Sequence, residues 1–263
     1  MPGLLKSGAE IERMRLGAVA IYRIFRELSD YLAPGRSTAE VERFIDRALN
    51  RSPSTSALFG YRGFPAVACV SVNAVAAHGL PDRTMLCSGD MLSVDIATEL
   101  EGWKSDATWT YGLIPTGERE RTLIEAAWAC TRSGLIAARA GGRVGDIGEA
   151  IMAVAEARGC SVIDTFAGHA LGRELHEEPL VPHTGRAGTG ELIEAGMVLN
   201  VEPIVTFGVP EVEKGGDGWS YRTIDGEATA QFELTVAVLE GESRVLTLGG
   251  IPPAQLGELP PFY

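Results

Sequence analysis

The chain has 263 residues, of which 45% are hydrophobic and 22% charged, and its formal net charge is -12. This length and apolar content predict a folded protein with a sizeable core and exclude a disordered chain. So acidic a composition argues against nucleic-acid binding, which needs a basic surface. No apolar run approaches the roughly 18 to 20 residues of a membrane helix, so no membrane partner is expected.

The cysteines and the N-terminal residues indicate the compartment. The four cysteines, at positions 69, 87, 130 and 160, lie far apart and form no C-x-x-C pair. In a chain of this length that spacing is typical of reduced thiols rather than of a disulfide framework. No secretory signal pattern opens the chain. A cytoplasmic globular protein, most often an enzyme, is therefore expected.

Two amphipathic helices are predicted at the beginning of the chain. Ser7 and Glu10 have capping-box spacing, and apolar residues then recur every three or four positions as far as Leu28. Ser37 and Glu40 repeat the capping pattern before a second apolar stripe. The later predicted elements are strands within about 65–111, helices over about 118–139 and 144–158, strands near 162, 197–205 and 231–239, and a surface tail over 251–263.

The order of two helices followed by strands occurs twice, which indicates an internal duplication. Residues 89–95 resemble residues 196–202, and Asp106-Ala107-Thr108 resembles Glu233-Leu234-Thr235. Both similarities align an acid of one half with an acid of the other. We therefore expect an α+β fold with pseudo-two-fold symmetry. Its expected bounds are a single domain over 1–263, with halves of about 1–115 and 116–250 and a C-terminal tail of 251–263.

Two aspartates interrupt neighbouring strand patterns. If the turn between the strands is centred at Leu100-Glu101, Asp95 and Asp106 are directly opposite each other, with Cβ atoms about 4.5 to 5.5 Å apart. Carboxylates this close repel each other unless one is protonated or a cation lies between them. A proton-sharing acid pair is the alternative interpretation. The second acid pair that the duplication predicts, Glu202 and Glu233, favours two divalent ions instead.

The four histidines differ in their sequence surroundings. His169 lies in Gly168-His169-Ala170-Leu171-Gly172, where small neighbours allow a metal ion to approach, and imidazole suits manganese, iron, cobalt or zinc. Considered alone, His78 and His176 are more typical of packed or surface residues. His183 follows a proline in a short loop-like segment and is expected on the surface.

The stretches that carry a family resemblance are Gly60-Tyr61-Arg62-Gly63-Phe64-Pro65, Ser71-Val72-Asn73, His78-Gly79-Leu80-Pro81, Val94-Asp95, Ser105-Asp106-Ala107-Thr108, residues 168–172, His176-Glu177-Glu178-Pro179, Val201-Glu202-Pro203 and Gln231-Phe232-Glu233. In this order they resemble the methionine aminopeptidases of the bacterial type (type I), which have the pita-bread fold with an antiparallel sheet flanked by helices. The resemblance covers nearly the whole chain. It implies a hydrolase that removes the N-terminal methionine from nascent proteins and peptides, with a preference for a small second residue.

The resemblance also implies the residues of the site. The matching metal ligands, for two divalent ions (cobalt, manganese, iron or zinc), are Asp95, Asp106, His169, Glu202 and Glu233. Glu202 would also be the general base, while His176 would donate a hydrogen bond to the scissile carbonyl oxygen and His78 would contact the peptide nitrogen. The residues matching the methionine pocket are Tyr61, Phe64, Cys69 and Trp219. A monomer is expected.

The chain departs from the family pattern at several positions without losing a ligand. They are Leu58 (often cysteine or threonine in the family), Arg62 (histidine), Ala97 (threonine), Lys104-Ser105 (histidine-glycine) and Leu175 (phenylalanine). Each of these departures changes what is expected of the shape of the pocket or of the surroundings of the metal site.

Two other functions remain possible from the sequence. Relatives that cleave Xaa-Pro bonds, such as prolidase and aminopeptidase P, usually have an additional N-terminal domain, whereas few residues precede the first predicted helix here. A non-catalytic binding protein of the same fold usually loses metal ligands, whereas this chain retains all five positions.

Overall fold

The computed structural model describes residues 4–262, which form helices and strands in the predicted order. The helices are α1 (Gly8–Tyr31), α2 (Thr38–Leu49), α3 (Glu118–Ala137) and α4 (Val144–Ala157). The strands are β1 (Thr55–Ser56), β2 (Cys69–Val72), β3 (Val75–Ala77), β4 (Met91–Leu100), β5 (Trp103–Gly112), β6 (Ser161–Val162), β7 (Ala167–Ala170), β8 (Glu177–Pro182), β9 (Val198–Val201), β10 (Ile204–Thr206), β11 (Val212–Lys214), β12 (Tyr221–Thr223), β13 (Thr229–Gln231), β14 (Leu234–Val238) and β15 (Ser243–Val245). Within this part of the chain no helix is both long and apolar enough to cross a bilayer.

Both predicted capping boxes are present at the first two helices. The backbone N–H of Ser7 donates to the Glu10 carboxylate at 2.8 Å, and that of Ser37 donates to the Glu40 carboxylate at 2.8 Å. These bonds satisfy backbone donors at the helix entrance, where no earlier turn supplies a carbonyl. The apolar stripe of α1 is buried as predicted and packs against β4 and β5.

The strands form antiparallel sheets that the helices flank. In the first half, β4 pairs with β5, β2 and β1, and α1 packs on this sheet. In the second half, β15-β14-β9-β7-β8 form a five-stranded sheet and β13-β10-β6 a three-stranded one, and α3 and α4 pack on these strands. A two-way backbone bridge joins the halves, because Thr108 and Glu233 exchange N–H to carbonyl bonds of 3.2 and 3.0 Å.

The predicted turn between β4 and β5 is wrong by one residue. The turn residues are Glu101 and Gly102, whose φ angles of 52° and 78° are both positive, as a two-residue type I′ hairpin turn requires. Asp95 is therefore opposite Thr108 rather than opposite Asp106. The register differs from the prediction by two positions, and side chains alternate with a period of two. Asp95 and Asp106 consequently remain on one face of the sheet.

The C-terminal segment is not the surface tail that the sequence predicts. The indole N–H of Trp109 donates to the Phe262 carbonyl at 2.9 Å, and that of Trp128 donates to the Gly257 carbonyl at 2.9 Å. The Phe262 ring also stacks on Trp109 with centroids 4.7 Å apart. A buried indole needs an acceptor for its N–H, and this segment supplies a backbone carbonyl to each of the two indoles. Leu256 is itself part of the core.

Replacement of Leu256 by alanine is therefore expected to lower the free energy of unfolding by about 2 to 4 kcal/mol, the usual cost of a buried leucine-to-alanine change. Leu256 is 4% exposed, whereas Leu259 in the same segment is 51% exposed. Urea denaturation of Leu256→Ala beside Leu259→Ala tests this difference. Equal stabilities of the two variants would contradict the packed position of the segment.

Candidate active site

A cavity of about 430 Å³ lies where the two halves meet. Every residue to which the sequence analysis gave a role in metal binding, catalysis or the methionine pocket lines this cavity. These residues are Tyr61, Phe64, Cys69, His78, Asp95, Asp106, His169, His176, Trp219, Glu202 and Glu233. The expected convergence of the acids on one space is therefore observed.

Each acid lies in or directly beside a strand. Asp95 and Asp106 come from β4 and β5, and Glu202 follows β9 directly before Pro203. Glu233 lies between β13 and β14. Val201, directly before Glu202, pairs with Leu234, and Ile204, two residues after Glu202, pairs with Gln231. Glu202 and Glu233 thus lie between these two paired positions, and all four acids line one cavity.

His169 offers a free imidazole nitrogen to this group of acids. One potential ligand atom from each of Asp106, His169 and Glu233 lies within 4.8 Å of the others. Nδ1 of His169 is 3.0 Å from the Ala170 carbonyl, and when it donates there, Nε2 keeps its lone pair. Nε2 is 3.6 Å from Oε1 of Glu202. Burial lowers the pKa of His169 to about 4, so the ring is neutral and this contact is not an ion pair.

The carboxyl groups are too crowded to be stable as bare anions. Burial raises the pKa of Asp95 to about 6. Burial, followed by repulsion from neighbouring acids, raises the pKa values of Asp106, Glu202 and Glu233 well above their usual range. One oxygen each of Asp95, Asp106 and Glu202 is buried with no hydrogen-bond partner among the described residues. Divalent cations satisfy such oxygens, so this donor set of four carboxylates and one imidazole fits divalent metal ions.

A network of neutral side chains holds Glu233. Thr108 Oγ1 donates to one carboxylate oxygen at 2.8 Å, and Asn200 Nδ2 donates to the other at 2.6 Å. Thr235 Oγ1 in turn donates to Asn200 Oδ1 at 2.8 Å. The sequence analysis gave none of these three residues a role. A signal was available for Asn200, because it is a lone polar residue inside the apolar strand β9.

His176 lies between the metal-site imidazole and Tyr61. Its ring centroid is 4.2 Å from that of His169 and 5.3 Å from that of Tyr61. The Tyr61 hydroxyl is 2.8 Å from Nδ1 of His176. Burial, followed by the neighbouring His169, lowers the pKa of His176 to about 3. Tyr61 was predicted only as part of the methionine pocket, and its contact with His176 was not anticipated.

His78 lines the cavity from a strained backbone position. Its φ angle is 54°, in the left-handed region that residues other than glycine rarely adopt. The ring packs edge-on against Phe166 and Tyr221, at centroid distances of 5.4 and 6.0 Å. Burial, followed by the charge of Lys214, lowers the pKa of His78.

The predicted pocket residues form one apolar cluster. Phe64 and Cys69 are buried in it, and Tyr61 and Trp219 pack against it. The Phe64 and Trp219 rings meet edge to face with centroids 5.2 Å apart. Cys69 is also directly opposite Asp95 in the sheet. The four predicted pocket residues therefore form one continuous apolar surface.

The departures from the family pattern lie in different places. Leu58, Ala97 and Leu175 all belong to the apolar cluster of the pocket. Arg62 is at the edge of the cavity, with its guanidinium carbon 5.3 Å from the Tyr61 ring centroid. Ser105 is elsewhere, because its buried hydroxyl donates to the Met14 carbonyl on α1 at 2.7 Å. The departures at Lys104 and Ser105, neither of which lines the cavity, thus leave the cavity lining and the pocket cluster unaltered.

The prediction of a surface position for His183 is wrong. This residue is 1% exposed, and its Nε2 accepts a hydrogen bond of 3.0 Å from the Gly168 N–H. Gly168 is also close to β9, because a Cβ there would lie 2.3 Å from the Asn200 carbonyl oxygen. His183 follows strand β8 directly, and its ring contacts β7 next to the predicted ligand His169.

Comparison with known proteins agrees with this geometry. The sequence profile of metallopeptidase family M24 matches residues 12–240. Methionine aminopeptidase A of Synechocystis sp. is 37% identical over 93% of this chain and 97% of its own length. The methionine aminopeptidase of Clostridium perfringens is 37% identical, with coverages of 93% and 98%.

Solved structures give the same result. The crystal structure of the Thermotoga maritima methionine aminopeptidase has a TM-score of 0.90 at 34% identity, covering 92% of this chain and 98% of that one. Prolidase of Pyrococcus furiosus, with a TM-score of 0.76 at 17% identity, covers 93% of this chain and 65% of its own and shares the fold alone. The predicted pita-bread fold is confirmed, and membership of a metallopeptidase family confirms the use of a divalent metal. The chain is a hydrolase that belongs to the methionine aminopeptidases of metallopeptidase family M24.

Proposed function

We propose that the protein removes the initiator methionine from nascent proteins and peptides in the cytoplasm, as a single-domain monomer that prefers a small second residue. One observation carries the proposal. Four carboxylates and three imidazoles line one cavity beside an apolar cluster. Free thiols at all four cysteines agree with a reducing compartment.

Two divalent ions are proposed at the acid cluster. Asp95, Asp106, His169, Glu202 and Glu233 would hold these ions. The buried oxygens of Asp95 and Asp106 without hydrogen-bond partners support this assignment. When bound, such ions lower the pKa of water and stabilise negative charge on the substrate.

Glu202 is proposed as the general base. Its Oε1 is buried, accepts no hydrogen bond from the described residues and faces the His169 imidazole. This oxygen is consequently available to take the proton of the attacking water. The same acidic surroundings attract the free α-ammonium group of a substrate. That attraction restricts hydrolysis to the end of a chain.

His176 and His78 are proposed to contact the scissile peptide. When the Tyr61 hydroxyl donates to Nδ1 of His176, the proton of the neutral ring is on Nε2. Nε2–H then donates to the carbonyl oxygen, where negative charge develops. His78 contacts the peptide nitrogen. Tyr61, Phe64, Cys69 and Trp219 would surround the methionine side chain, since aromatic and sulfur groups suit a flexible thioether.

A peptide assay tests the proposed function directly. Purified protein is incubated with Met-Ala-Ser or with an Ala-Pro peptide, each with added Mn²⁺ or Co²⁺, and the released amino acids are quantified. Release of methionine from Met-Ala-Ser alone is the expected result. Cleavage of the Ala-Pro peptide would indicate a prolidase-like enzyme, and no release from either peptide by metal-bound protein would indicate a binding protein.

Asn200 is expected to matter for metal affinity although it is not a proposed ligand. Asn200→Leu removes the donor to Glu233 while keeping the number and branching of the side-chain heavy atoms, and loss of such an outer hydrogen bond typically costs about 10- to 100-fold in metal affinity. Isothermal titration with Mn²⁺ measures the change. Asn50→Leu, at an exposed asparagine after α2, is the control and should leave the affinity unchanged. Wild-type affinity in Asn200→Leu would refute this supporting role.

A further inference from the structure

The segment between β7 and β8, residues 171–176, connects the strand of His169 to His176. We name it the histidine loop. His169 precedes it in β7, and His176 is its last residue. At its base Ala170 pairs with Glu177, the first residue of β8. The geometry of this base therefore controls how the His176 ring lies against His169.

A buried ion pair occupies the base of the histidine loop. Lys6 Nζ is 2.7 Å from Glu177 Oε2, and the Lys6 side chain is only 1% exposed. The other oxygen of Glu177 accepts the Glu174 N–H at 3.1 Å, so one carboxylate binds both Lys6 and the loop. Lys6 is itself anchored, because its backbone N–H donates to the Gly196 carbonyl at 2.7 Å.

The loop packs closely on this pair. A Cβ on Gly172 would lie 2.5 Å from Lys6 Cε and 2.7 Å from Glu177 Oε1. Lysine is rarely buried, and removal of one partner of a buried pair leaves an uncompensated charge. Charge-assisted hydrogen bonds of this kind are short and directional. The pair is thus a rigid contact, whereas most ion pairs on this molecule are between partly exposed side chains.

We propose that the Lys6–Glu177 ion pair positions His176 for catalysis. Glu177 is adjacent to His176 in the chain, so the pair sets the backbone from which the imidazole extends toward the substrate carbonyl. Lys6 and Glu177 are positioning residues, since neither lines the cavity. This inference rests on the proposed function, because the role of His176 is proposed there.

Lys6→Met is the first test, with Met-Ala-Ser as substrate. A displacement of about 1 Å in a catalytic group can lower the rate about 100-fold, so kcat should fall by about 10- to 100-fold while KM changes little. Mn²⁺ affinity should stay at the wild-type value, because Lys6 contacts none of the proposed ligands. Lys6→Arg retains the charge and should recover most of kcat. Wild-type kcat in Lys6→Met would overturn the inference.

A double-mutant cycle separates positioning from general stability. If Lys6 acts through His176, Lys6→Met should cause no further loss of kcat in a His176→Ala background. A full additional loss would overturn the inference. Arg51→Met, which removes an exposed ion pair with Glu27, is the control and should retain wild-type kcat.

Misfolding of a variant and failure of the proposed function can each be distinguished from failure of the positioning role. If Lys6→Met does not fold, Lys6→Met/Glu177→Leu replaces the pair by apolar groups, a change that folds well in many proteins, and the same loss of kcat is expected. Release of methionine by the wild-type protein supports the proposed function whatever the variants do. An active wild type with unaffected variants therefore rejects only the positioning role.

Discussion

Glu233→Gln is expected to lower the affinity for Mn²⁺ by more than about 100-fold, because loss of outer-shell partners alone typically costs 10- to 100-fold. Glutamine keeps the shape of the side chain but removes the negative charge. Both oxygens of Glu233 accept hydrogen bonds, from Thr108 and Asn200. The amide of the introduced glutamine would therefore also direct its N–H groups at one of these two donors. Release of methionine should fall in parallel. Titration calorimetry with Mn²⁺ and the Met-Ala-Ser assay measure the two effects.

The matched control for Glu233→Gln is Glu149→Gln, which makes the same chemical change at an exposed position on α4. Glu149→Gln should bind Mn²⁺ and release methionine as the wild type does. Tight Mn²⁺ binding by Glu233→Gln would show that the ions lie elsewhere, and the assignment of the five ligands would then be wrong.

His176→Ala is expected to lower kcat by about 100- to 1000-fold, the usual range for removal of one donor to a developing oxyanion. KM should change little, because this hydrogen bond strengthens only as negative charge develops on the carbonyl oxygen. Steady-state kinetics with Met-Ala-Ser separates the two parameters. An unchanged kcat would discard the donor role.

The proposed donor role of His176 also predicts how the effect of His176→Ala on kcat depends on pH. Burial disfavours the charged imidazolium and lowers the pKa of His176 to about 3, so the ring is neutral at any pH near 7. The ratio of kcat between wild type and His176→Ala should therefore be constant around neutrality. His176→Gln retains an N–H donor and should recover part of the lost rate.

Features that depend on neighbours in the sequence were predictable. The capping boxes at Ser7 and Ser37 follow from a spacing of three residues, and the buried stripe of α1 follows from the helical period. The pairing of Asp95 with Asp106 was predicted in the wrong register, yet both remain on one face, because only the parity of the register decides the face. The metal-ligand positions came from the motifs and their order.

Features that depend on distant partners were not predictable. His183 looked like a loop residue, and nothing near it in the sequence indicates that Gly168 donates to its ring. The C-terminal segment looked like a tail because its partners, two indole N–H groups, lie more than a hundred residues earlier. Lys6 and Glu177 are likewise 171 positions apart. Each of these contacts is set by tertiary packing rather than by local propensity.

The backbone bridge between Thr108 and Glu233 has a consequence for how the enzyme would fail. It crosses the seam at the point where Asp95 and Asp106 of the first half approach His169, Glu202 and Glu233 of the second. Neither half alone offers more than three of the proposed ligands. Bound metal ions would thus indicate that the two halves are in contact at this bridge. A chain whose halves separated there would lose its metal ions while the helices of each half were still folded.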